Sequence, residues 1–213
     1  LLVPKEVRDY LGKAKQKNDA LQREQLPAWY LSITKISNPL VSAYFQTLLL
    51  IGCRPNEITA LQWTDVDFQW NSITIKDKVE GERIIPLTPY VAHLLCNLPR
   101  RNKYVFSSTA SQSGHIMDTH RIHEKACKIA GVELTLHGYR RSFASLCEWI
   151  EMPAGIAAQI QGHKAQGVRE KNYIRRPLDL LRLWHVKIEA WILNEANAEF
   201  RPSKPGLQIV ANE

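Results

Sequence analysis

The sequence predicts a mainly α fold with a small antiparallel β-sheet, an α+β domain, and three observations predict it. Apolar residues recur at helical spacing in several segments, most clearly Leu40, Ala43, Tyr44, Leu48 and Ile51, with Thr47 in the same row. Only one pair of segments, 72–76 and 83–87, reads as strands folded back on each other, across a turn at Val79-Glu80-Gly81-Glu82. The composition is globular: 213 residues, 45% hydrophobic and 23% charged, enough to bury a core.

The elements follow in order. Residues 4–18 are predicted helical, with Pro4 near the first turn and Val7, Tyr10, Leu11 and Ala14 on one face. Residues 19–38 carry no clear pattern. Pro39 to Ile51 is a helix that Gly52 ends. Pro55 opens a short helix to Leu61, and Asp65-Val66-Asp67 leads into the hairpin. Thr88-Pro89 starts a helix to about Leu98, and Tyr104-Val105-Phe106 precedes a Ser/Gly-rich loop at 107–114. Helices are expected over 118–130, 137–150 and 154–161, punctuated by Gly131 and Pro153, and a long one over 177–196. Its apolar face holds Leu180, Leu181, Trp184, Ile188, Trp191 and Ile192. The tail 197–213 is expected to be extended or flexible unless it docks, back on this domain or on a neighbouring copy. Residues 1–196 form one domain, with a boundary near 25–38 as the alternative.

Net charge is +7, which favours a polyanionic partner, nucleic acid first and a membrane surface second; a merely basic globular protein is the plainer reading. The four cysteines, Cys53, Cys96, Cys127 and Cys147, form no CxxC pair and read as reduced, mostly buried thiols. The longest apolar run, Leu48-Leu49-Leu50-Ile51, is far shorter than the ~18 residues that span a bilayer. The chain starts at Leu1 without a methionine, so an upstream domain is expected to be missing from it.

The chemistry-bearing residues are cations, proton donors and one tyrosine. Arg54, in the turn Gly52-Cys53-Arg54-Pro55-Asn56-Glu57, is placed to offer a planar fork to phosphate oxygens. Capping the previous helix or pairing with Glu57 is the simpler use. His137-Gly-Tyr-Arg140 opens a helix, and i, i+3 spacing puts both side chains on one face at an anion-favouring end. A capping histidine and a solvated arginine would look the same. Lys78 at the hairpin end is placed to protonate a leaving alkoxide. Lys76 lies on the same strand face, so periodicity does not choose between them, and either lysine also protects an edge strand. Tyr173 needs neighbouring cations to lower its pKa before it attacks at neutral pH. Lys164, Arg169, Lys171, Arg175 and Arg176 surround it in sequence. His120-x-x-His123, with His115 nearby, is the competing metal reading, but no HExxH and no zinc-type Cys/His spacing exists.

In combination these motifs resemble the catalytic domain of tyrosine recombinases of the phage and genomic-island integrase type. The resemblance runs from about Leu2 to Leu193. It rests on Gly-Cys-Arg54-x-x-Glu57-Ile-x-x-Leu followed by Trp63 and Asp65; Lys78, eight residues before Pro86; His137-x-x-Arg140-Arg-Ser-Phe-Ala; Gly162-His163; and Tyr173. The spacing from Pro86 selects Lys78 over Lys76. Gly138-Tyr139 stand where Asp-Leu is more usual, and His163 to Tyr173 is ten residues rather than nine.

The resemblance implies that Tyr173 attacks a DNA phosphodiester to form a 3′-phosphotyrosyl link and release a 5′-hydroxyl. It assigns Arg54 and Arg140 to the non-bridging oxygens, Lys78 to the departing oxygen, His137 and His163 to hydrogen bonds on the phosphate, and Glu57 to a supporting role. Arg141, Lys164, Arg169, Lys171 and Arg175 are candidate DNA-binding positions. No metal and no cofactor, ATP included, is expected. The expected partners are double-stranded DNA attachment sites and a homotetramer on DNA, with a monomer as the alternative for this chain alone, and no membrane. The expected place is the bacterial cytoplasm. A type IB topoisomerase-like relaxing enzyme and a non-catalytic DNA-binding module are the alternatives.

Overall fold

The computed structural model describes residues 18–77, 81–163 and 176–201. At its centre is helix α2 (Pro39–Ile51), in which every residue after Pro39 is buried. The Asn38 side chain caps it by accepting the Leu40 N–H at 3.0 Å, and Pro39 takes the first-turn position where no N–H is needed. Phe45, Leu48, Leu49 and Ile51 are fully enclosed, and each such side chain contributes about 1.5–3 kcal/mol on burial.

Helix α1 (Leu26–Thr34) covers α2 on one side. The sequence shows no clear pattern over 19–38 and allows a domain boundary there as an alternative. The structure puts Leu26, Trp29 and Ile33 into the common core instead. Trp29 donates its Nε1–H to the Tyr139 hydroxyl at 3.1 Å and meets that ring edge-on. Among the described residues, therefore, no boundary separates 26–34 from the rest of the domain. The helix expected over 4–18 lies outside the described residues apart from its last position.

Helix α3 (Pro55–Thr59) leads to a sheet of order β1-β2-β3, all antiparallel: β1 (Val66–Asp67), β2 (Ser72–Asp77) and β3 (Gly81–Pro86). The hairpin is as expected, with Ile73 opposite Ile85 and Ile75 opposite Arg83. The third strand was not expected. It is two residues long, too short for alternation to show, and the register with Ile73 and Ser72 defines it. Bridges between Gln62 and Tyr104 and between Ser107 and His115 tie the Ser/Gly-rich loop to the body.

Four further helices close the domain: α4 (Pro89–Cys96), α5 (His120–Ala130), α6 (Gly138–Cys147) and α7 (Ala154–Gln161). A single 3-10 turn at Glu148–Ile150 follows α6. The long last helix, α8 (Leu178–Glu195), packs on β3 and touches α1, α2, α6 and α7. Leu181, Ile188 and Ile192 of its expected apolar face are buried. Trp191 stacks on Trp149 at 6.0 Å, while Leu180 remains exposed. The described start of the tail lies on the domain: Phe200 meets Tyr90 edge-on at 5.0 Å. Residues 202–213 lie outside the described residues. Cys53, Cys127 and Cys147 are buried and Cys96 is exposed, all four unpaired. Among the described residues, no helix is long and apolar enough to cross a membrane.

Candidate active site

Strand alternation builds the first half of the site. Ile73, Ile75 and Asp77 share one face of β2, and Ile85 and Arg83 the matching face of β3. The isoleucines enter the core. The polar members of the same rows meet the turn at the end of α2.

That turn is forced by Gly52. Its φ of 66° ends α2, and a Cβ there would lie 2.5 Å from the Phe143 ring. The chain then presents Arg54 at the N-cap of α3. Glu57, one turn into that helix, accepts the Arg54 backbone N–H at 2.8 Å and the Arg54 Nη1 at 3.0 Å. Arg83 grips the same carboxylate from the other side, with Nη1 at 3.0 Å and Nη2 at 2.9 Å. Asp77 accepts from Arg54 Nη1. The result is a row of alternating charge, Asp77, Arg54, Glu57, Arg83. The Glu57 side chain is 5% exposed and that of Arg54 35%, so the acid is held inside while the guanidinium still reaches solvent.

Arg140 builds the second half. It sits in the first turn of α6, three residues after His137, the N-cap. Its Nη1 donates to the carbonyls of Gly52, at 3.0 Å, and Gln161. One guanidinium thus touches the residue two positions before Arg54 and the residue two positions before His163. Gln161, itself buried, returns hydrogen bonds to the Arg140 carbonyl at 2.7 Å and the Gly52 carbonyl at 3.4 Å. Arg140 Nη2 is buried and has no partner among the described residues. Burial first, and then the nearby Arg54 charge, push the Arg140 pKa below its usual value. An arginine does not release its proton in this range, so this unfavourable charge is what an incoming anion would relieve.

Helix α7 ends at Gly162, with φ 72°, where the His163 N–H returns to the Ala158 carbonyl at 2.8 Å. The His163 side chain is exposed. His137 is also exposed and lines, with Arg54, Glu57, Lys76, Asp77 and His115, an open cleft of about 690 Å³. Gly138 and Tyr139, the unusual pair inside His-x-x-Arg, have packing reasons. A Cβ at Gly138 would lie 2.6 Å from Leu134 Cδ1 and 2.7 Å from the Asp19 carbonyl oxygen. Tyr139 is fully buried among Trp29, Phe45 and His123.

The structure thus brings together Arg54, Glu57 and Arg140 with the turn that carries His163, and places His137 on the same cleft as Arg54. Lys76 pairs with Asp65, which raises the lysine pKa. Arg141 points away from the cluster, bound to Asp19 and to Thr135 Oγ1 at 3.2 Å. Lys78, Lys164, Arg169, Lys171, Tyr173 and Arg175 lie outside the described residues. The flanks of the segment holding Tyr173 are described, and both attach to α7: His163 as above, and Arg176 through its carbonyl, which accepts Gln159 Nε2 at 3.2 Å.

Of the histidines considered for metal, His123 is a core residue. Its ring packs on Phe45 and Tyr139, and burial, aided by His120, lowers its pKa to about 4. Among the described residues, no group of three or more His, Cys, Asp or Glu side chains is arranged to hold a metal ion. Sequence reading missed Arg83, Asp77 and Gln161. For the first two a signal existed: strand alternation puts both on the face of Ile73, Ile75 and Ile85, where a charge requires a partner. Gln161 gave none beyond its place before Gly162.

Residues 14–176 match the Phage integrase family. Prophage integrase IntF of Escherichia coli (strain K12) is 52% identical over 191 residues, covering 86% of this chain and 41% of that protein. The chain spans less than half the length of the curated relatives it matches. The integrase from mycobacterium phage Brujita has the same fold at a TM-score of 0.62 and 18% identity, over 84% of this chain and 62% of that one. A lambda integrase tetramer bound to a Holliday junction matches at a TM-score of 0.58 and 16% identity, over 78% of this chain and 52% of that one. With the family matched across most of its length and the two-arginine cluster in place, this chain belongs to the phage integrase family.

Proposed function

We propose that the protein is a site-specific DNA recombinase, an integrase that cuts and rejoins DNA through a covalent tyrosyl intermediate. The observation that carries this is Arg140: a half-buried guanidinium whose Nη2 is buried without a partner among the described residues, fixed beside Arg54 by the Gly52 and Gln161 carbonyls. Arg54 and Arg140 side by side on a basic chain suit the non-bridging oxygens of a phosphodiester.

In this reading Tyr173 gives up its phenolic proton, with His137 assisting, as Oη attacks phosphorus; a phosphotyrosyl bond to the 3′ phosphate forms and the P–O5′ bond breaks. Lys78 gives a proton to the departing 5′ oxygen. Lys76 is the weaker choice because Asp65 already holds it. Arg54 and Arg140 hold the non-bridging oxygens as charge grows on them, and His137 and His163 donate hydrogen bonds to the same phosphate. Rejoining runs the steps backwards with a different 5′-hydroxyl as nucleophile. The phosphotyrosyl bond keeps the energy of the broken ester, so neither ATP nor a divalent metal is needed.

The partner is double-stranded DNA at attachment sites, with Lys164, Arg169, Lys171 and Arg175 as phosphate contacts. Arg141, already bound to Asp19, contributes least of the five basic candidates. The working assembly is a homotetramer on DNA in the bacterial cytoplasm. The lambda integrase tetramer on a Holliday junction supports this by likeness of fold. The relatives are integrases and a tyrosine recombinase, which favours strand exchange over simple relaxation.

The test uses the protein in its full natural length, with candidate attachment DNA nicked to trap intermediates, in EDTA. Mass spectrometry of the DNA-bearing peptide is expected to find a 3′-linked adduct on Tyr173 that is absent in Tyr173→Phe, while DNA binding persists. Binding without an adduct on any attachment DNA would leave a DNA-binding module as the better account.

A further inference from the structure

We infer that Arg83 is a positioning residue of this site: it holds Glu57, and through it Arg54, in register with the turn that carries His163. The inference rests on the function proposed above and adds a residue to it. Arg83 never faces the cleft as a phosphate ligand would; its side chain is 16% exposed and its partners are internal.

The geometry has three parts. On one side Arg83 forms a two-pronged pair with Glu57, at 3.0 and 2.9 Å. On the other, Nε donates to the Ile160 carbonyl at 3.2 Å, two residues before Gly162. Between them Nη2 meets Cys53 Sγ at 3.3 Å, on the residue before Arg54. Burial pushes the Cys53 thiol up to about 12, so it meets the arginine as a neutral group. One planar guanidinium therefore joins α3, the Gly52–Arg54 turn and the end of α7. Its fixed fork suits this task as a lysine ammonium would not.

Gly162 makes room for it. A Cβ there would lie 2.6 Å from Arg83 Cζ, so any side chain at the turn would displace the guanidinium. The glycine thus serves two ends at once, the left-handed turn and the approach of Arg83. Burying an arginine on a core-facing strand position is costly unless it is fully paired. An apolar residue would pack there at less cost if only stability were served. What the arginine adds is a fixed distance between the two parts of the site.

The experiment compares wild type, Arg83→Gln, Arg83→Lys, Glu57→Gln and the Arg83→Gln/Glu57→Gln double variant in the full-length protein. Single-turnover cleavage at saturating nicked DNA, DNA affinity, urea stability and DNA-free amide exchange are measured. Arg83→Gln is expected to slow cleavage by about 100-fold, as small misplacements of catalytic groups do, with affinity for DNA unchanged. Arg83→Lys is expected to recover stability but not the rate, since a single ammonium cannot bridge Glu57, Cys53 and Ile160. The double variant is expected to cleave no more slowly than the slower single. In DNA-free protein the Gly162 and His163 amides are expected to exchange faster in Arg83→Gln.

Wild-type cleavage by Arg83→Lys, fold-losses that multiply in the double variant, or unchanged exchange at 162–163 would each overturn the inference. If wild type itself gave no adduct while exchange at 162–163 still responded to Arg83→Gln, the positioning contact would stand and the recombinase reading would fall.

Discussion

Among the described residues two glutamates, Glu57 and Glu189, are buried, and their surroundings separate an acid that holds cations from one that closes a helix end. Glu57 lies between two guanidiniums, those of Arg54 and Arg83. Among the described residues Glu189 on α8 meets neutral donors: the Thr88 hydroxyl, the Tyr90 N–H at 2.8 Å and the Val91 N–H at 3.2 Å. It caps α4 from a distance, doing for that helix what an N-cap side chain does elsewhere. Burial, only partly offset by those hydrogen bonds, raises its pKa to about 7. A carboxylate set between two guanidiniums holds both in place; a carboxylate among neutral dipoles closes off a helix end.

The largest expected effect breaks the first environment. Glu57→Ala would leave Arg54 and Arg83 facing each other with their shared anion gone. Removing one partner from a buried charge pair costs about 3–5 kcal/mol. Urea denaturation is expected to show a loss of that size, and the DNA cleavage assay a loss of adduct formation. A variant with wild-type stability would mean that solvent already neutralises the pair, contrary to a Glu57 side chain 5% exposed.

The contrast also explains what was legible in the sequence. Helix α2 was readable because apolar residues and flanking Pro39 and Gly52 agree on both ends. The hairpin was readable from its strand runs, and chain order suggested the grouping of Arg54 and Arg140 with His137 and the turn of His163. Helix α1 was not, although Leu26, Trp29 and Ile33 have the spacing, because Ala28, Tyr30 and the exposed Leu31 are apolar too and blur the period. Strand β1 was not, because two residues cannot show a period. Arg83 was readable in principle as a cation on the same strand face as Ile85, but local pattern does not name its partner 26 residues earlier. Gln161 was beyond reach, since its role depends on Gly52 being 109 residues away in the chain and adjacent in space.

The second effect sharpens the comparison with buried bases rather than acids. His185 is fully buried, its Nε2 donating to the Leu50 carbonyl at 3.0 Å, and burial lowers its pKa to about 4. His123 is lowered to about 4 by burial and by His120. Both folded pKa values lie below the unfolded value near 6.5, so unfolding takes up protons. The stability they contribute is complete above pH 6.5 and is lost as pH falls towards 4, about 3 kcal/mol each. Urea midpoints at pH 7, 5.5 and 4 are expected to fall in that order. His185→Gln, which keeps a donor for Leu50, is expected to remove about half of this histidine-linked slope.

The smallest effect belongs to Glu189, and its sign is opposite. The folded pKa, about 7, lies above the ordinary value of 4.5. Its contribution is therefore greatest below pH 4.5 and shrinks as pH rises through 7, where the folded protein must hold a buried anion. Glu189→Gln keeps the shape and one acceptor oxygen but offers an amide to donors that need none. It is expected to cost about 1 kcal/mol through the lost hydrogen bond, more at pH 4.5 than at pH 8. Cleavage at saturating DNA is expected to be unchanged, because the contacts of Glu189 are with α4 rather than with the arginine cluster. A penalty that grew with pH would mean that the three donors outweigh burial and that Glu189 is held as a charged cap.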